Sequence, residues 1–208
     1  MPLVRKTKDP ASTSKPEGFG ALTALASANP EERWAAARAA ADVSGGADAL
    51  AGALRTESDP RVREAMFTSL ARIGTPESAN QLVPLLRSDD AQLRTGALDA
   101  LRMMAAAVRE MLPTLLTDPD GDVRILSCEL ARGLPSDEAT TLLCALLADE
   151  QQVNVCAAAI EVLAEVGSPA ALPCLAECAQ RFRDAPFLGF AIKIATDRIK
   201  AQPASTRG

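Results

Sequence analysis

The sequence predicts an all-α fold, an α-solenoid of about five helical hairpins with a helical cap at each end. Three observations predict it. The chain is rich in alanine and leucine, which favour helices, and it is 48 % hydrophobic but only 3 % aromatic. One segment recurs five times at a nearly constant spacing. Within each copy, apolar residues recur every three or four positions, as on the buried face of a helix.

The recurring segment opens with Asp or Asn, often followed by proline, and continues with an apolar residue, an arginine and an alanine-rich stretch. The copies can be registered on Arg33, Arg63, Arg94, Arg124 and Cys156. These register residues lie 30, 31, 30 and 32 residues apart. Five copies at such a period indicate a repeat architecture, in which each unit buries its apolar face against its neighbours.

Two apolar columns define the first helix of each copy. The first column is Ala37, Phe67, Leu98, Cys128 and Ile160. The second, three residues later, is Ala40, Leu70, Leu101, Ala131 and Leu163. Polar residues before a proline are expected to cap helices, namely Asn29, Asp59, Thr75, Asp118 and Ser168. Gly45, Gly74 and Gly167 are expected where first helices end.

A second apolar run follows in each copy, so every copy is expected to form a helical hairpin. Helices are expected near 21–27, 31–43, 46–56, 60–73, 76–87, 90–104, 106–117, 121–133, 136–148, 150–166, 169–182 and 186–200. The solenoid is therefore expected to span 19–200. Residues 1–18 form a basic tail and 201–208 a short tail, both expected to be disordered because they are rich in small, polar or charged residues.

Charge and composition exclude several function classes. The net charge is −5, and residues 21–200 carry 17 basic against 25 acidic side chains, or −8. An acidic body repels a phosphate backbone, so no nucleic-acid partner is expected. No apolar run reaches the roughly 18 residues of a membrane span, and the N-terminal residues lack the apolar region of a secretory signal. Five cysteines, an odd number, suit a reducing compartment and predict a cytoplasmic protein.

The residues that usually carry catalysis are scarce. The chain has no histidine, which removes the commonest general base and metal ligand. No phosphate-binding glycine motif is present. Cys128, Cys174 and Cys178 are interpreted as small buried hydrophobic side chains, and Cys156 is expected to be partly exposed. The chain is therefore predicted to be no enzyme and to need no cofactor or metal.

The segment DPRVREAMFTSLARIGTPESANQLVPLL resembles a HEAT repeat, specifically the short form named after phycobilisome lyases. The resemblance extends over about 29–183 and lies in the DP-x-VR opening, the LARIG-like middle and the apolar second helix. It implies an α-solenoid whose first helices are convex and whose second helices line a concave surface. It also implies that repeat Asp and Arg side chains bond across neighbouring repeats. That ladder would comprise Asp59, Arg63, Arg94, Asp118 and Arg124, with Arg33 at its start.

Two surfaces are candidates for binding. Helical geometry at 100° per residue places weakly charged residues opposite the apolar stripe of the second helices. The candidate contact residues are Asn80, Pro84, Glu110, Thr114 and Thr141. They leave room for a partner helix or extended segment, but a tightly curved solenoid also needs small residues there. The first helices present a solvated column of Arg38, Thr68, Asp99, Glu129 and Glu161. Trp34 is expected to cover the N-terminal cap.

The predicted function is a non-catalytic adaptor or scaffold in bacterial signalling or complex assembly, whose partner is another protein or peptide segment. An alternative is an accessory subunit of a bilin or tetrapyrrole lyase, as the family name implies. The lack of histidine and tyrosine counts against that alternative. A third possibility is a DNA glycosylase-like repeat protein, which the acidic body and the few aromatic residues disfavour.

Overall fold

A computed structural model describes residues 17–201, with side-chain positions from residue 20. Within this range every regular element is helical. The α-helices are α1 (Glu17–Ala24), α2 (Pro30–Ala40), α3 (Gly46–Leu54), α4 (Pro60–Ile73), α5 (Pro76–Leu82), α6 (Ala91–Arg102), α7 (Ala105–Leu115), α8 (Gly121–Ala131), α9 (Ser136–Asp149), α10 (Val153–Val166), α11 (Leu172–Arg181) and α12 (Pro186–Ala201). Short 3₁₀ helices span Val83–Arg87 and Pro169–Ala171.

The helices alternate along the chain as the first and second helices of five repeats. The first helices are α2, α4, α6, α8 and α10, and the second helices are α3, α5, α7, α9 and α11. Helices α1 and α12 precede and follow these pairs, as expected of caps. The predicted all-α class of repeated helical hairpins is thereby confirmed.

The chain divides into two compact units, residues 1–69 and 70–208, with the boundary inside α4. In the described part of the first unit, α2 packs against α1 and α3. Its core includes the fully buried Leu50, Leu54 and Met66. Because the side chains of this core are apolar and closely packed, the short helices are held by burial rather than by their own propensity.

In the described part of the second unit, successive repeats stack first helix on first helix and second helix on second helix. Helix α8 packs against α6 and α10, and α9 packs against α11. Helix α12 closes this stack by packing against α10 and α11. The buried columns predicted from the sequence form the core, including Leu101, Cys128 and Leu163.

Helix starts follow the expected capping chemistry with two corrections. Ser168 precedes the 3₁₀ helix Pro169–Ala171 as predicted, but its hydroxyl makes no capping hydrogen bond. Asn29 and Asp90 accept hydrogen bonds from backbone amides at the starts of α2 and α6. The predicted cap Asp118 is wrong, because the side chain that caps α8 is Asp120, which accepts from the amide of Asp122 at 2.9 Å. Pro119 therefore lies in the loop and not at the first helical position.

Two further local features depend on glycine and proline. Gly45 and Gly74, placed at the ends of first helices by the sequence pattern, have φ of 76° and 64°. Residues with a side chain rarely adopt this left-handed conformation, so glycine is required at both turns. The predicted helix 76–87 changes to 3₁₀ geometry at Val83, because Pro84 has no amide proton for an α-helical hydrogen bond.

No helix between residues 17 and 201 has both the length and the apolar run needed to cross a lipid bilayer. The tails predicted at 1–18 and 201–208 lie almost entirely outside the described residues, although Glu17 and Gly18 begin α1 and Ala201 ends α12.

Candidate functional site

The register arginines make one recurring contact. Each donates a hydrogen bond to the carbonyl oxygen six residues earlier, in the loop before its own helix. The distances are 2.9 Å for Arg33, 2.7 Å for Arg63, 2.6 Å for Arg94 and 2.7 Å for Arg124. Each arginine thus fixes the loop that leads into its first helix.

Arg33 and Arg124 also form ion pairs with a carboxylate that follows the second helix of the same repeat. The Nε and Nη2 atoms of Arg33 lie 2.6 and 2.9 Å from the Glu57 carboxylate oxygens. The same atoms of Arg124 lie 2.7 and 3.2 Å from those of Glu150. Each arginine therefore joins the start of a repeat to the loop that begins the next one.

The acidic members of the predicted ladder make other contacts. Asp59 caps α4 by accepting from the amides of Arg61 and Val62 at 2.9 and 3.2 Å. Asp118 forms an ion pair with Arg87 instead of a register arginine. Glu57 and Glu150 do not stand out in the sequence, because each lies two residues before the position that the repeat pattern singles out.

Electrostatics keep both glutamates ionised although they are buried. A hydrogen bond from Arg33 is the main reason that the pKa of Glu57 is lowered to about 2, and the amides of Asp59 and Ser58 add to it. Burial raises the pKa of Glu150, but hydrogen bonds from Arg124 and from the backbone outweigh burial, so that pKa is lowered as well. Both ion pairs are structural, because all their polar atoms already have partners.

The candidate contact residues of the second helices all lie in the second unit and are all exposed. Asn80 is on α5, Pro84 follows it in the 3₁₀ helix, Glu110 and Thr114 are on α7, and Thr141 is on α9. We call these five residues the second-helix face. The Thr141 hydroxyl donates to the Asp137 carbonyl at 2.8 Å, whereas the Glu110 carboxylate has no ion-pair partner among residues 20–201.

A groove of about 690 Å³ runs between α7 and α9, and none of the five residues of the second-helix face lines it. Its apolar walls are Pro113 and Leu116 on one side and Leu142, Ala145 and Leu146 on the other. The Arg124–Glu150 ion pair forms its floor, and Thr117, Asp149 and Gln151 also line it, at the C-terminal ends of the two helices. We call this cavity the α7/α9 groove.

An equivalent groove of about 630 Å³ occurs in the first unit, between α1 and α3. It has the Arg33–Glu57 pair as its floor, three repeats earlier. Smaller side chains replace the wall residues of the later groove, with Ala49, Gly52 and Ala53 where the other has Leu142, Ala145 and Leu146. The groove therefore comes from the repeat geometry, and its chemistry differs from one repeat to another.

The fifth repeat departs from the ladder. Cys156, expected to be partly exposed, is 0 % exposed, and its Sγ lies 3.8 Å from the Glu150 carbonyl oxygen. A hydrogen bond from Cys156 and the charge of Arg181 outweigh burial and lower the pKa of Cys178 to about 7. Arg181 donates to the carbonyl oxygens of Ala148, at 2.8 Å, and Leu147.

Cys144 and Cys174 form a disulfide between α9 and α11, with their Cα atoms 5.7 Å apart. This corrects the interpretation of Cys174 as a buried thiol. Their sequence separation of 30 residues is close to the repeat period, which is the signal that could have paired them. Among the described residues, no three His, Cys, Asp or Glu side chains come together as a metal site.

The first helices of the second unit carry a chain of surface ion pairs. Arg102 pairs with Asp99 and with Glu129 of the next repeat, and Arg132 pairs with Glu129 and Glu165. Of the predicted solvated column, Asp99 therefore pairs with an arginine of its own helix, and Glu129 pairs with an arginine of the preceding repeat as well as with one of its own. In the first unit, the guanidinium of Arg38 lies 4.8 Å from the ring centre of Trp34.

Comparisons with known proteins identify the repeat. A family model for HEAT repeats matches residues 20–102 and 108–186. A search of curated protein sequences found no match. Similar solved structures include an archaeal HEAT-like repeats protein from Thermococcus onnurineus NA1, with 18 % identity over 88 % of this chain and 87 % of that chain and a TM-score of 0.48.

Two other similar structures have lower TM-scores. An engineered protein is 21 % identical over 88 % of this chain and 96 % of its own, with a TM-score of 0.43. The complex of CpcE and CpcF of phycocyanin lyase from Nostoc sp. PCC7120 is 16 % identical over 95 % of this chain and 100 % of that chain, with a TM-score of 0.39.

Proposed function

This chain belongs to the HEAT-repeat family, and from that premise we propose that it is a non-catalytic adaptor or scaffold that binds another protein or peptide segment through its second-helix face. One observation carries the proposal. The five residues of that face, spread over three successive second helices, are exposed, and an open groove with apolar walls runs between the last two of these helices. Concave, mostly apolar sites with a few polar groups are where proteins usually bind ligands and segments.

The surface formed by the first helices supports the choice of the second-helix face as the binding surface. On α6, α8 and α10, the charged residues Asp99, Arg102, Glu129, Arg132 and Glu165 are joined to one another across repeats. Side chains held in such pairs contribute to the stacking of repeats and are less available to a partner. The Glu110 carboxylate and the Asn80 amide of the second-helix face have no such role.

The proposed activity is binding without catalysis. The sequence holds no histidine, and the floor of the α7/α9 groove is an ion pair whose atoms are saturated with hydrogen bonds. A general base or nucleophile needs a free lone pair directed at the substrate, which the Arg124–Glu150 pair does not offer.

We place this activity in the cytoplasm, in signalling or complex assembly, and the Cys144–Cys174 disulfide tests the compartment. Disulfides persist in oxidising compartments and are rare in the cytosol. Alkylation of thiols during lysis of native cells, followed by mass spectrometry, should label all five cysteines in a reducing compartment. Labelling restricted to Cys128, Cys156 and Cys178 would overturn the cytoplasmic assignment.

The adaptor proposal is tested by affinity capture from native lysate with matched variants. The test variant carries Asn80→Lys, Glu110→Lys and Thr141→Lys on the second-helix face. The control carries Asn154→Lys, Glu161→Lys and Thr95→Lys, the same three exchanges at exposed positions of the first helices α6 and α10. We expect a protein retained by the wild type and the control to be lost from the folded test variant. Equal retention by both variants would contradict the proposal.

A further inference from the structure

Helix α12 repeats the apolar pattern of α10, the first helix against which it packs. Six apolar positions match when the two helices are aligned 32 residues apart. In α10 each of them is at most 1 % exposed, namely Val155, Cys156, Ala159, Ile160, Val162 and Leu163. Their counterparts in α12 are Phe187, Leu188, Ala191, Ile192, Ile194 and Ala195. By its sequence, α12 is therefore a sixth first helix and not only a cap.

Half of these matched positions are not covered in α12. Phe187 is 61 % exposed, and Ala191 and Ile194 are only partly buried. Phe190, which lies on the same side of the helix, is 67 % exposed. These side chains fall within about 100° of one another around the helix axis. We call Phe187, Phe190, Ala191 and Ile194 the α12 stripe.

First helices with a neighbour on both sides bury the corresponding stripe. Helix α10 packs against α8 and α12, and its Val155, Ala159 and Val162 are fully buried. Helix α8 packs against α6 and α10, and its Val123 and Leu130 at the same positions are 0 % and 4 % exposed. In the part of the chain that the structure describes, α12 has a first helix on one side only. Because terminal repeats usually have a polar outer face, an apolar stripe there indicates that a further helix covers it.

We propose that the α12 stripe binds the α12 stripe of a second copy of this chain, with the two helices antiparallel and related by a two-fold axis near Ala191. First helices of this chain already pack on one another, as α8 does on α10, so the stripe fits a helix of the same kind. Residues 202–208 contain no large apolar side chain that could cover it. The two-fold axis makes both copies use the same surface and closes the assembly at a dimer. In this arrangement Phe187 of each copy packs against Ile194 of the other.

The charges at the two ends of the stripe select an antiparallel second copy. Asp184, in the turn before α12, lies seven residues before Ala191, and Arg198 lies seven residues after it. Both are exposed, and neither has an ion-pair partner within residues 20–201. In the antiparallel pair, Asp184 of each copy meets Arg198 of the other. An acidic partner segment or an anionic lipid surface would instead bring negative charge against Asp184.

The other charged side chains of α12 and of the turn before it leave that match intact. Lys193 pairs with Asp197 of its own helix at 2.9 Å. Lys200 points about 120° away from the stripe and lies in the last turn, where the helix dipole favours a cation. Arg181 and Arg183 donate to backbone carbonyl oxygens, those of the last turn of α9 and of Gln180. The two end charges therefore remain available to a second copy.

The area of the stripe predicts a weak, reversible dimer. Two phenylalanines that are about two-thirds exposed present roughly 250 Å² per copy, against about 800 Å² per partner in a stable interface. A dissociation constant of about 10–100 μM is expected. Sedimentation velocity of the full-length protein from about 5 to 500 μM, which brackets that value, should show a shift from monomer to dimer. A wild type that stays monomeric throughout would overturn the proposal.

Two matched substitutions locate the contact. Phe190→Glu should weaken dimerisation about tenfold, since it places two like charges in the apolar centre of the interface. Met103→Glu makes the same kind of change at an apolar side chain that is 71 % exposed at the end of α6, and it should leave the dissociation constant unchanged. Circular dichroism shows whether each variant is folded. Equal effects of the two substitutions would overturn the assignment of the contact to α12.

A charge exchange tests the antiparallel arrangement. Asp184→Arg and Arg198→Asp should each weaken dimerisation, because each places like charges together at both ends of the interface. An equimolar mixture of the two variants should dimerise as the wild type does, since every contact between positions 184 and 198 then joins opposite charges. A mixture that stays monomeric would overturn the antiparallel pairing.

The competing occupants have their own readouts. A monomeric wild type that binds phosphatidylserine vesicles, or a glutamate-rich amphipathic peptide, and loses that binding in Phe190→Glu would assign the stripe to a membrane or to another protein and overturn the dimer. The adaptor proposal is independent of these results, because the second-helix face lies on α5, α7 and α9 and is tested by partner capture.

Discussion

The fourth and fifth repeats satisfy the same structural need with different chemistry. In the fourth repeat, Arg124 joins the Asp118 carbonyl to the Glu150 carboxylate. In the fifth, the register position holds Cys156, which contacts the Glu150 carbonyl, and Arg181 from the end of α11 hydrogen-bonds the last turn of α9. In the fifth repeat the arginine therefore lies on the second helix instead of the first, and among residues 20–201 it has no carboxylate partner.

The difference shows which contact of the register residue recurs in every repeat and which contact does not. The carbonyl six residues before the register position is contacted in all five repeats, by arginine four times and by cysteine once. The carboxylate is needed where a buried arginine would otherwise lack a counter-charge, since an unpaired buried charge costs several kcal/mol. Cysteine carries no charge when protonated, and so the fifth repeat needs no carboxylate.

The largest effect is expected from breaking the fourth-repeat ion pair. Glu150→Ala leaves the Arg124 guanidinium buried without a counter-charge and should lower the free energy of unfolding by about 3–5 kcal/mol. Asp149→Ala, at the adjacent exposed position, should change it by less than about 0.5 kcal/mol. Denaturant unfolding of the two variants beside the wild type measures both. Similar values for the two variants would show that the ion pair does not stabilise the repeat.

Reduction of the Cys144–Cys174 disulfide should have the next largest effect. The bond closes a segment of 30 residues between α9 and α11, and loop closure of this length stabilises a fold by about 3 kcal/mol. Thermal unfolding with and without reductant measures the change. Reductant should have no effect on the Cys144→Ser/Cys174→Ser double variant. An unchanged wild type would mean that the bond does not form in solution.

A double-mutant cycle tests the exchange of arginine between helices. Cys156→Arg places a charge in a buried position beside Arg181 and should destabilise the fold by about 3 kcal/mol. Adding Arg181→Glu supplies a counter-charge and should recover about 1 kcal/mol or more beyond additivity. Chemical denaturation of the four proteins in the cycle gives the coupling energy. Strict additivity would show that the two positions do not substitute for each other.

The smallest effect is expected on the outer surface. Arg132→Ala removes contacts with Glu129 and Glu165 at partly exposed positions, and exposed ion pairs contribute about 0–1 kcal/mol. Half a molar salt should mimic the substitution by screening, whereas it should barely affect the buried Arg124–Glu150 pair. A loss of unfolding free energy as large as that of Glu150→Ala would show that the surface ion pairs stabilise the fold as much as the buried Arg124–Glu150 pair does.

Local periodicity predicted most of the fold. The columns through Cys128 and Leu163 follow from apolar spacing within one helix, and the structure buries them. Asp118 was misplaced because two aspartates flank Pro119 and either matches a capping pattern. Glu150 and Cys144 were missed because their partners, Arg124 and Cys174, lie 26 and 30 residues away, and spacing within a single helix carries no information on such contacts.

For the candidate site too, features of a single helix could be predicted from the sequence, and contacts between helices could not. Helical geometry placed Glu110 and Thr141 on an exposed face, because exposure opposite an apolar stripe is a property of one helix. The α7/α9 groove required the packing of two helices from different repeats.

Site-specific photocrosslinking tests most directly whether the second-helix face binds a partner. A photoreactive amino acid is introduced either at Thr114, on α7, or at Glu161, on α10, and each purified protein is irradiated in native lysate. The account predicts one discrete crosslinked partner from position 114 that the Asn80→Lys/Glu110→Lys/Thr141→Lys background abolishes, and none from position 161. A partner crosslinked from position 161 and not from 114 would contradict the account and assign binding to the first helices.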